Sequence, residues 1–95
     1  MVTNNLLIRL KQRDQESIQK AVHLLSGLKD NIPVLLDSRV ETDIRAGESG
    51  YDIMLINTFM SSEDIPVYLI HPVHMEIAKS ITAAIEMSAS LCYES

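Results

Sequence analysis

The chain has 95 residues, 46% hydrophobic and 22% charged, which predicts one globular domain rather than a disordered or fibrous chain. Thirteen acidic against eight basic residues give a net charge of −5, which argues against nucleic acid or an anionic membrane surface as partner. The single cysteine excludes an internal disulfide, and no apolar run approaches the roughly 18 residues of a membrane span. With no signal-peptide pattern either, we expect a reducing, cytoplasmic location.

The first part of the chain predicts a strand, a helix and a second strand. Residues 2–10 are rich in leucine and isoleucine and predict the first strand, and Asp14 is the expected N-cap of the helix that follows. The apolar residues of this helix recur at helical spacing: Ile18, Ala21, Val22, Leu25 and Leu28. Pro33 ends the helix because the residue before a proline avoids the helical region. Residues 34–44 predict the second strand.

A loop with two glycines, residues 45–50, separates the second strand from a third one over residues 51–59. Hydroxyl and acidic residues at 61–64 then predict the start of a short helix, in which Pro66 comes early enough to be tolerated.

Pro72 interrupts the second helical region, and its continuation is predicted over residues 73–86, followed by a last strand over 88–93. The order β-α-β-β-α-β is typical of a ferredoxin-like α+β domain with an antiparallel sheet, here a single domain over residues 1–95.

Two strands of this sheet are apolar on both faces, namely at residues 6–8 and 53–56. The helices can cover only one face of the sheet, so another surface must pack against the apolar side chains of the other face. Leaving these side chains in water would cost several kcal/mol at about 25 cal/mol per Å². We therefore predict a homodimer in which two copies pack the bare faces of their sheets together by twofold symmetry. The alternative is a monomer in which these runs are ordinary buried strands.

Residues 68–74 read Tyr-Leu-Ile-His-Pro-Val-His and place two imidazoles and a phenol within seven residues. Groups that exchange protons near neutral pH are scarce elsewhere in the chain. His74 opens the last helix and is a candidate general base, with Tyr68 as hydrogen-bond donor to a developing enolate. The alternative is structural: His74 bonds locally, and Tyr68 is a core tyrosine with its hydroxyl satisfied.

The other candidate groups favour structural roles. His71 is expected to face outward or to pin the turn at Pro72, and His23 to be solvated. A metal site made from His71 and His74 lacks a third ligand of fixed position, so neither a metal nor a cofactor is predicted. Cys92 is expected to be a small buried hydrophobe.

The segment 68–74 resembles the Y-[LI]-x-H-P-x-H motif of the stress-responsive A/B barrel domain family. As in that family, the motif is preceded by Gly50, Tyr51 and Asp52 and by a third strand that runs into residues 59–64. Residues 32–33 and 91–94 also match in kind, so the resemblance covers nearly the full length. It implies a ferredoxin-like protomer that forms a dimeric α+β barrel with its twin. It also implies a pocket between sheet and helices. The residues expected to line this pocket are Asn4, Leu6, Tyr51, Ile53, His71 and Ile77.

Most members of this family have no established activity. Its plant polyketide cyclases close a linear polyketide by aldol chemistry without metal or cofactor, and their catalytic pair corresponds to Tyr68 and His74. Those enzymes also carry a histidine early in the first strand, where this chain has Asn4 and Asn5.

The leading hypothesis is thus a small homodimeric A/B barrel protein of unestablished activity, with an apolar pocket for a small apolar or carbonyl-containing ligand and an association with stress. The alternative is a cofactor-independent enzyme with isomerase, cyclase or aldol chemistry. A haem-handling protein or cofactor-free monooxygenase is a weaker alternative, because only 4% of the residues are aromatic. Whether Arg9 or Arg45 reaches the pocket mouth is left open.

Overall fold

The computed structural model describes residues 1–45, 47 and 50–95, so residues 46, 48 and 49 of the predicted loop 45–50 lie outside the described part. The elements in chain order are β1 (Val2–Leu10), α1 (Gln15–Ser26), β2 (Asp37–Thr42), β3 (Ile53–Phe59), α2 (Asp64–Leu69), α3 (Pro72–Ile81), a 3₁₀ turn (Thr82–Ala84) and β4 (Ile85–Glu94). No helix of the described part is long and apolar enough to cross a membrane.

The sheet has the strand order β2-β3-β1-β4, and each pair of neighbouring strands is antiparallel. In the middle of the sheet, Leu6 of β1 lies opposite Leu55 of β3 on one side and Ser90 of β4 on the other. This order and the helices between the strands confirm the predicted ferredoxin-like α+β fold.

The two faces of the sheet differ in how they are covered. One face carries the buried Ile8, Leu55 and Phe59 and packs against the helices. Because side chains alternate along a strand, Leu7, Met54 and their neighbours point to the opposite side, which we call the open face. The side chains of the open face are, from β1, β3 and β4, Thr3, Asn5, Leu7, Arg9, Met54, Ile56, Thr58, Met87, Ala89, Leu91 and Tyr93.

Helix α1 begins where the sequence predicts. Asp14 is its N-cap, and the Asp14 carboxylate accepts hydrogen bonds from the Ser17 amide at 3.1 Å and the Ser17 hydroxyl at 2.7 Å. These bonds, the hydroxyl bond first, lower the pKa of Asp14 below its usual value. The helix ends at Ser26, earlier than the predicted break at Pro33, and its C-cap Gly27 lies close to α3, where a Cβ atom would lie 3.4 Å from Cδ1 of Ile77. The helix is thereby positioned against α3 above the sheet.

The last helix and the last strand differ from the prediction. Helix α3 ends at Ile81, so the prediction of helix up to residue 86 is wrong, and β4 begins at Ile85. Ile85 does follow Ile77 and Ile81 at helical spacing. The chain instead pairs Ile85 with Leu10 of β1, and this long-range pairing overrides the local periodicity.

Two further predictions need correction. Strand β2 starts at Asp37 rather than at residue 34, because the chain first makes a turn in which the Leu35 amide donates to the Ile32 carbonyl. Cys92 is exposed, not buried. It lies on β4, an edge strand with a neighbouring strand on one side only, and the residues of this strand after Ile85 are exposed.

Candidate functional site

A small cavity of about 130 Å³ lies between the sheet and the helices, and we call it the His74 cavity. Its wall is formed by residues of β1, α1, β3, α2, α3, the 3₁₀ turn and the first residue of β4. Its lining residues are Leu6, Ile8, Leu25, Leu28, Leu55, Tyr68, His74, Ile77, Ala78, Ile81, Thr82 and Ile85. The wall is therefore mainly aliphatic, with a phenol, an imidazole and a hydroxyl as its polar groups.

Tyr68 is buried at the end of α2, with only 6% of its surface exposed, and it packs edge to face against Phe59 at a ring distance of 5.3 Å. Its hydroxyl oxygen accepts a hydrogen bond from Nδ2 of Asn57 at 3.1 Å, and Oδ1 of Asn57 accepts one from the Ser38 hydroxyl at 2.6 Å. Since Asn57 donates to the phenol oxygen, Tyr68 keeps its own proton for donation to another group.

Burial raises the pKa of Tyr68 above its usual value of 10.0, and the hydrogen bond from Asn57 opposes this with a smaller effect. The phenol therefore stays protonated throughout the physiological pH range. It can act as a hydrogen-bond donor in the cavity and not as a base.

His74 lies in the first turn of α3, and its ring is tilted against the ring of Tyr68 at a centroid distance of 4.6 Å. Its Nδ1 atom is 2.9 Å from the carbonyl oxygen of Leu69. A carbonyl oxygen can only accept, so Nδ1 carries the proton of this bond. In the neutral ring, Nε2 is then the nitrogen with the free lone pair. The hydrogen bond to Leu69 thus selects the tautomer of His74 in which Nε2 is the proton acceptor.

The structure brings together some of the residues predicted for the pocket. Leu6 and Ile77 line the His74 cavity together with Tyr68 and His74. His71 is not among its lining residues: it is the N-cap of α3, and its Nδ1 atom accepts a hydrogen bond from the Val73 amide at 3.1 Å.

The other predicted lining residues, Asn4, Ile53 and Tyr51, also lie outside the cavity wall. Asn4 pairs with Asn57 across β1 and β3, nearer the end of the sheet, and Ile53 is a core residue with 2% exposure. Tyr51 lines a separate depression beside Asp43 and Arg45.

Neither arginine considered at the pocket mouth contributes to the wall of the His74 cavity. Arg9 donates to the Gly50 carbonyl at 3.0 Å and lies 3.7 Å from the Glu86 carboxylate. A second arginine, Arg13, binds the buried Asp52 at 2.9 Å and the Gly47 carbonyl at 2.7 Å. These contacts fix the chain before β3 and are structural.

Sequence reasoning missed Asn57, which donates to the Tyr68 hydroxyl, and Ser38, which donates to Asn57. The sequence did carry a signal for Asn57. It is an amide side chain on the face of β3 that points to the core, between the buried Leu55 and Phe59. A polar residue in such a position needs a buried partner, so it marks a hydrogen-bond network. Within the described residues, no three His, Cys, Asp or Glu side chains converge in a way that could hold a metal ion.

The strand order and the helix-side cavity define a ferredoxin-like α+β protein with an aliphatic chamber between sheet and helices. The chain belongs to the stress responsive A/B barrel domain family, whose model matches residues 5–94. No curated protein matches the sequence significantly.

Solved structures with the same fold include proteins of different activities. A dimeric ferredoxin-like protein of unknown function from Thermobifida fusca has 17% identity and a TM-score of 0.84, over 99% of this chain and 90% of its own. A hydroxynitrile lyase from Passiflora edulis has 23% identity and a TM-score of 0.80, over 97% and 90%. An antibiotic biosynthesis monooxygenase has 12% identity and a TM-score of 0.78, over 100% and 98%. At these identities the likeness shows the fold alone.

Proposed function

We propose that this protein is a homodimeric, cofactor-independent enzyme that moves a proton on a small carbonyl compound bound in the His74 cavity. The observation that carries the proposal is the bond between Nδ1 of His74 and the Leu69 carbonyl. It leaves Nε2 as the basic atom of a ring that lines an aliphatic chamber beside a protonated phenol.

The chemistry divides between two side chains. Nε2 of His74 takes a proton from the carbon next to the carbonyl group, the electron pair of that C–H bond forms a C=C bond to the carbonyl carbon, and the π pair of the C=O bond moves to the carbonyl oxygen. The Tyr68 hydroxyl donates a hydrogen bond to this oxygen as its charge grows. The imidazolium then returns the proton to the same or a neighbouring carbon. Asn57 holds the phenol in place, and the aliphatic wall excludes water, which strengthens both interactions.

The size of the cavity limits the substrate. Its volume of about 130 Å³ is close to that of an engineered apolar cavity of about 150 Å³ that binds benzene. A substrate of roughly five to seven non-hydrogen atoms follows from this comparison. A linear polyketide or a haem exceeds this size, so the polyketide cyclase and haem-handling alternatives receive less support than isomerase or lyase chemistry.

The homodimer is part of the proposal and is supported by the open face. Leu91, Met87 and Tyr93 are 67%, 50% and 43% exposed there. Covering a leucine, methionine or similar side chain stabilises by about 1.5–3 kcal/mol, so a second copy seated on this face gains several kcal/mol. The excess of acids and the lone thiol favour a cytoplasmic location, and the family name favours an association with stress.

A non-catalytic binding protein is the second candidate. This candidate is favoured because the Tyr68 hydroxyl and Nδ1 of His74 already have hydrogen-bond partners within the protein. Such satisfied side chains are also typical of residues that only pack the core. This candidate predicts that the side chain at position 74 does not affect any proton exchange.

Deuterium exchange into cyclohexanone in D₂O, followed by proton NMR, tests proton abstraction directly. We expect the protein to accelerate exchange at the carbon next to the carbonyl, and His74→Gln to lower the rate by about 10²–10⁴-fold. His23→Gln is the matched control, since His23 is exposed on α1 and lies outside the cavity. Equal rates for wild type and a folded His74→Gln variant would refute the role of His74.

A further inference from the structure

A second and larger cavity lies at the other end of α1, and nothing in the proposed reaction uses it. Its volume is about 390 Å³, three times that of the His74 cavity. We call it the lysine cleft, and its lining residues are Leu10, Lys11, Gln12, Ser17, Lys20, Ala21, Leu24, Ser80, Ile81, Ala83 and Ala84. Ile81 lines both cavities and forms the wall that they share.

The floor and the rim of the lysine cleft differ in chemistry. The floor is aliphatic, with Leu10, Ala21 and Ile81 at 1%, 4% and 5% exposure. The charged groups on its rim are Lys11 and Lys20, both exposed. Of the carboxylates in the described part of the chain, none lines the cleft, although the protein as a whole carries a net charge of −5. The cleft is therefore a locally cationic site on an acidic protein.

Lys11 and Lys20 are the cationic donors that remain available to a ligand, and the amide of Gln12 is a neutral one. Neither lysine forms an ion pair within residues 1–45, 47 and 50–95. The two serine hydroxyls of the cleft are already engaged, since Ser17 donates to the Asp14 carboxylate at 2.7 Å and Ser80 to the Glu76 carbonyl at 3.1 Å.

We infer that the lysine cleft binds an amphipathic monocarboxylate, with its carboxylate between Lys11 and Lys20 and its aliphatic tail on the floor formed by Leu10, Ala21 and Ile81. On the same comparison with the benzene cavity, about 25 Å³ for each non-hydrogen atom, the volume holds roughly fifteen such atoms, which is enough for a medium-chain fatty acid. The cleft lies on the helix side of the sheet, so it stays open when a second copy covers the open face. The site does not depend on the reaction proposed at His74.

Titration of the full-length protein with octanoate, below the concentration at which it forms micelles, tests this site by two-dimensional amide NMR. We expect saturable shifts at Ala21, Ala83 and Ala84, and weaker binding of octan-1-ol, which has the same tail without the charge. The double variant Lys11→Gln/Lys20→Gln should weaken octanoate binding about five- to tenfold, since exposed charge pairs contribute modestly. Ala83→Phe, at an exposed position of the 3₁₀ turn, should block the cleft and abolish the shifts.

The control variant Lys29→Gln/Lys79→Gln removes the same charge from positions outside the cleft and should bind octanoate like the wild type. Three results would overturn the inference: equal affinity for octanoate and octan-1-ol, an equal loss in the control variant, or shifts centred on Tyr68 and His74. The last result would place the carboxylate in the His74 cavity instead. Because the readout is binding, a failure of the reaction at His74 leaves this test unaffected.

Discussion

At the scale of single residues, the site depends on Tyr68 and His74 being held by groups that come from other elements. Asn57 of β3 donates to the phenol of Tyr68, and the Leu69 carbonyl at the end of α2 orients the His74 ring. The sequence motif predicted that Tyr68 and His74 lie in the same site, because they are six residues apart on either side of a proline that breaks the helix. It could not predict Leu25 or Leu55 in the cavity wall, since those contacts arise only when α1 and β3 pack.

The raised pKa of Tyr68 makes a prediction about stability in alkali. The unfolded chain loses the phenol proton near pH 10, whereas the folded protein holds it to higher pH because the phenol is buried. This contribution to the free energy of unfolding is therefore complete below about pH 10 and is lost as the pH rises through the folded pKa. Tyr68→Phe should show a shallower loss of stability than the wild type between roughly pH 9.5 and 11, measured by urea unfolding.

Tyr51→Phe is the matched control, because Tyr51 is half-buried outside the His74 cavity. We expect this variant to keep the alkaline slope of the wild type. Identical slopes for the wild type and Tyr68→Phe would contradict the assignment of Tyr68 as a buried phenol that stays protonated.

At the scale of elements, the predictable parts of the fold are those whose signals are local. The Asp14 cap predicted the start of α1, and the apolar run at residues 53–56 predicted β3. The predicted boundary between α3 and β4 was wrong because Ile85 continues the helical spacing of α3. Its actual pairing partner, Leu10, is distant in sequence. The prediction that Cys92 is buried was wrong for a related reason. The exposure of a residue on an edge strand depends on how distant elements pack around it.

The start of α3 gives a prediction that separates the two histidines of the motif. His71 accepts a hydrogen bond from the Val73 amide through Nδ1, so it satisfies a backbone donor that the helix leaves free. His71→Ala should lower the free energy of unfolding by about 1 kcal/mol, as for other lost N-caps, whereas His71→Asn should retain most of it. Urea unfolding of the two variants measures this difference.

The same two variants should leave cyclohexanone exchange unchanged for each folded molecule, because His71 does not line the His74 cavity. A loss of exchange in the well-folded His71→Asn variant would show that His71 takes part in the chemistry, against the present assignment.

At the scale of the whole molecule, the two faces of the sheet differ in what covers them. The helix face encloses the His74 cavity and holds its polar groups at fixed positions. The open face presents aliphatic side chains such as Leu7, Ile56 and Leu91, and the described part of the chain has no further helix or strand to cover them. The sequence predicted this division from the strands that are apolar on both faces.

The central claim is that two copies of the chain cover one another through the open face, and sedimentation equilibrium at micromolar concentration tests it most directly. We predict a mass of twice the 10.6 kDa of the chain. Leu91→Lys, at an exposed residue of the open face on β4, should shift the protein towards the single-chain mass, because it buries a charge in the interface. Ile70→Lys, at an equally exposed residue of the α2–α3 turn, should leave the mass doubled. A wild-type mass of 10.6 kDa at this concentration would contradict the account.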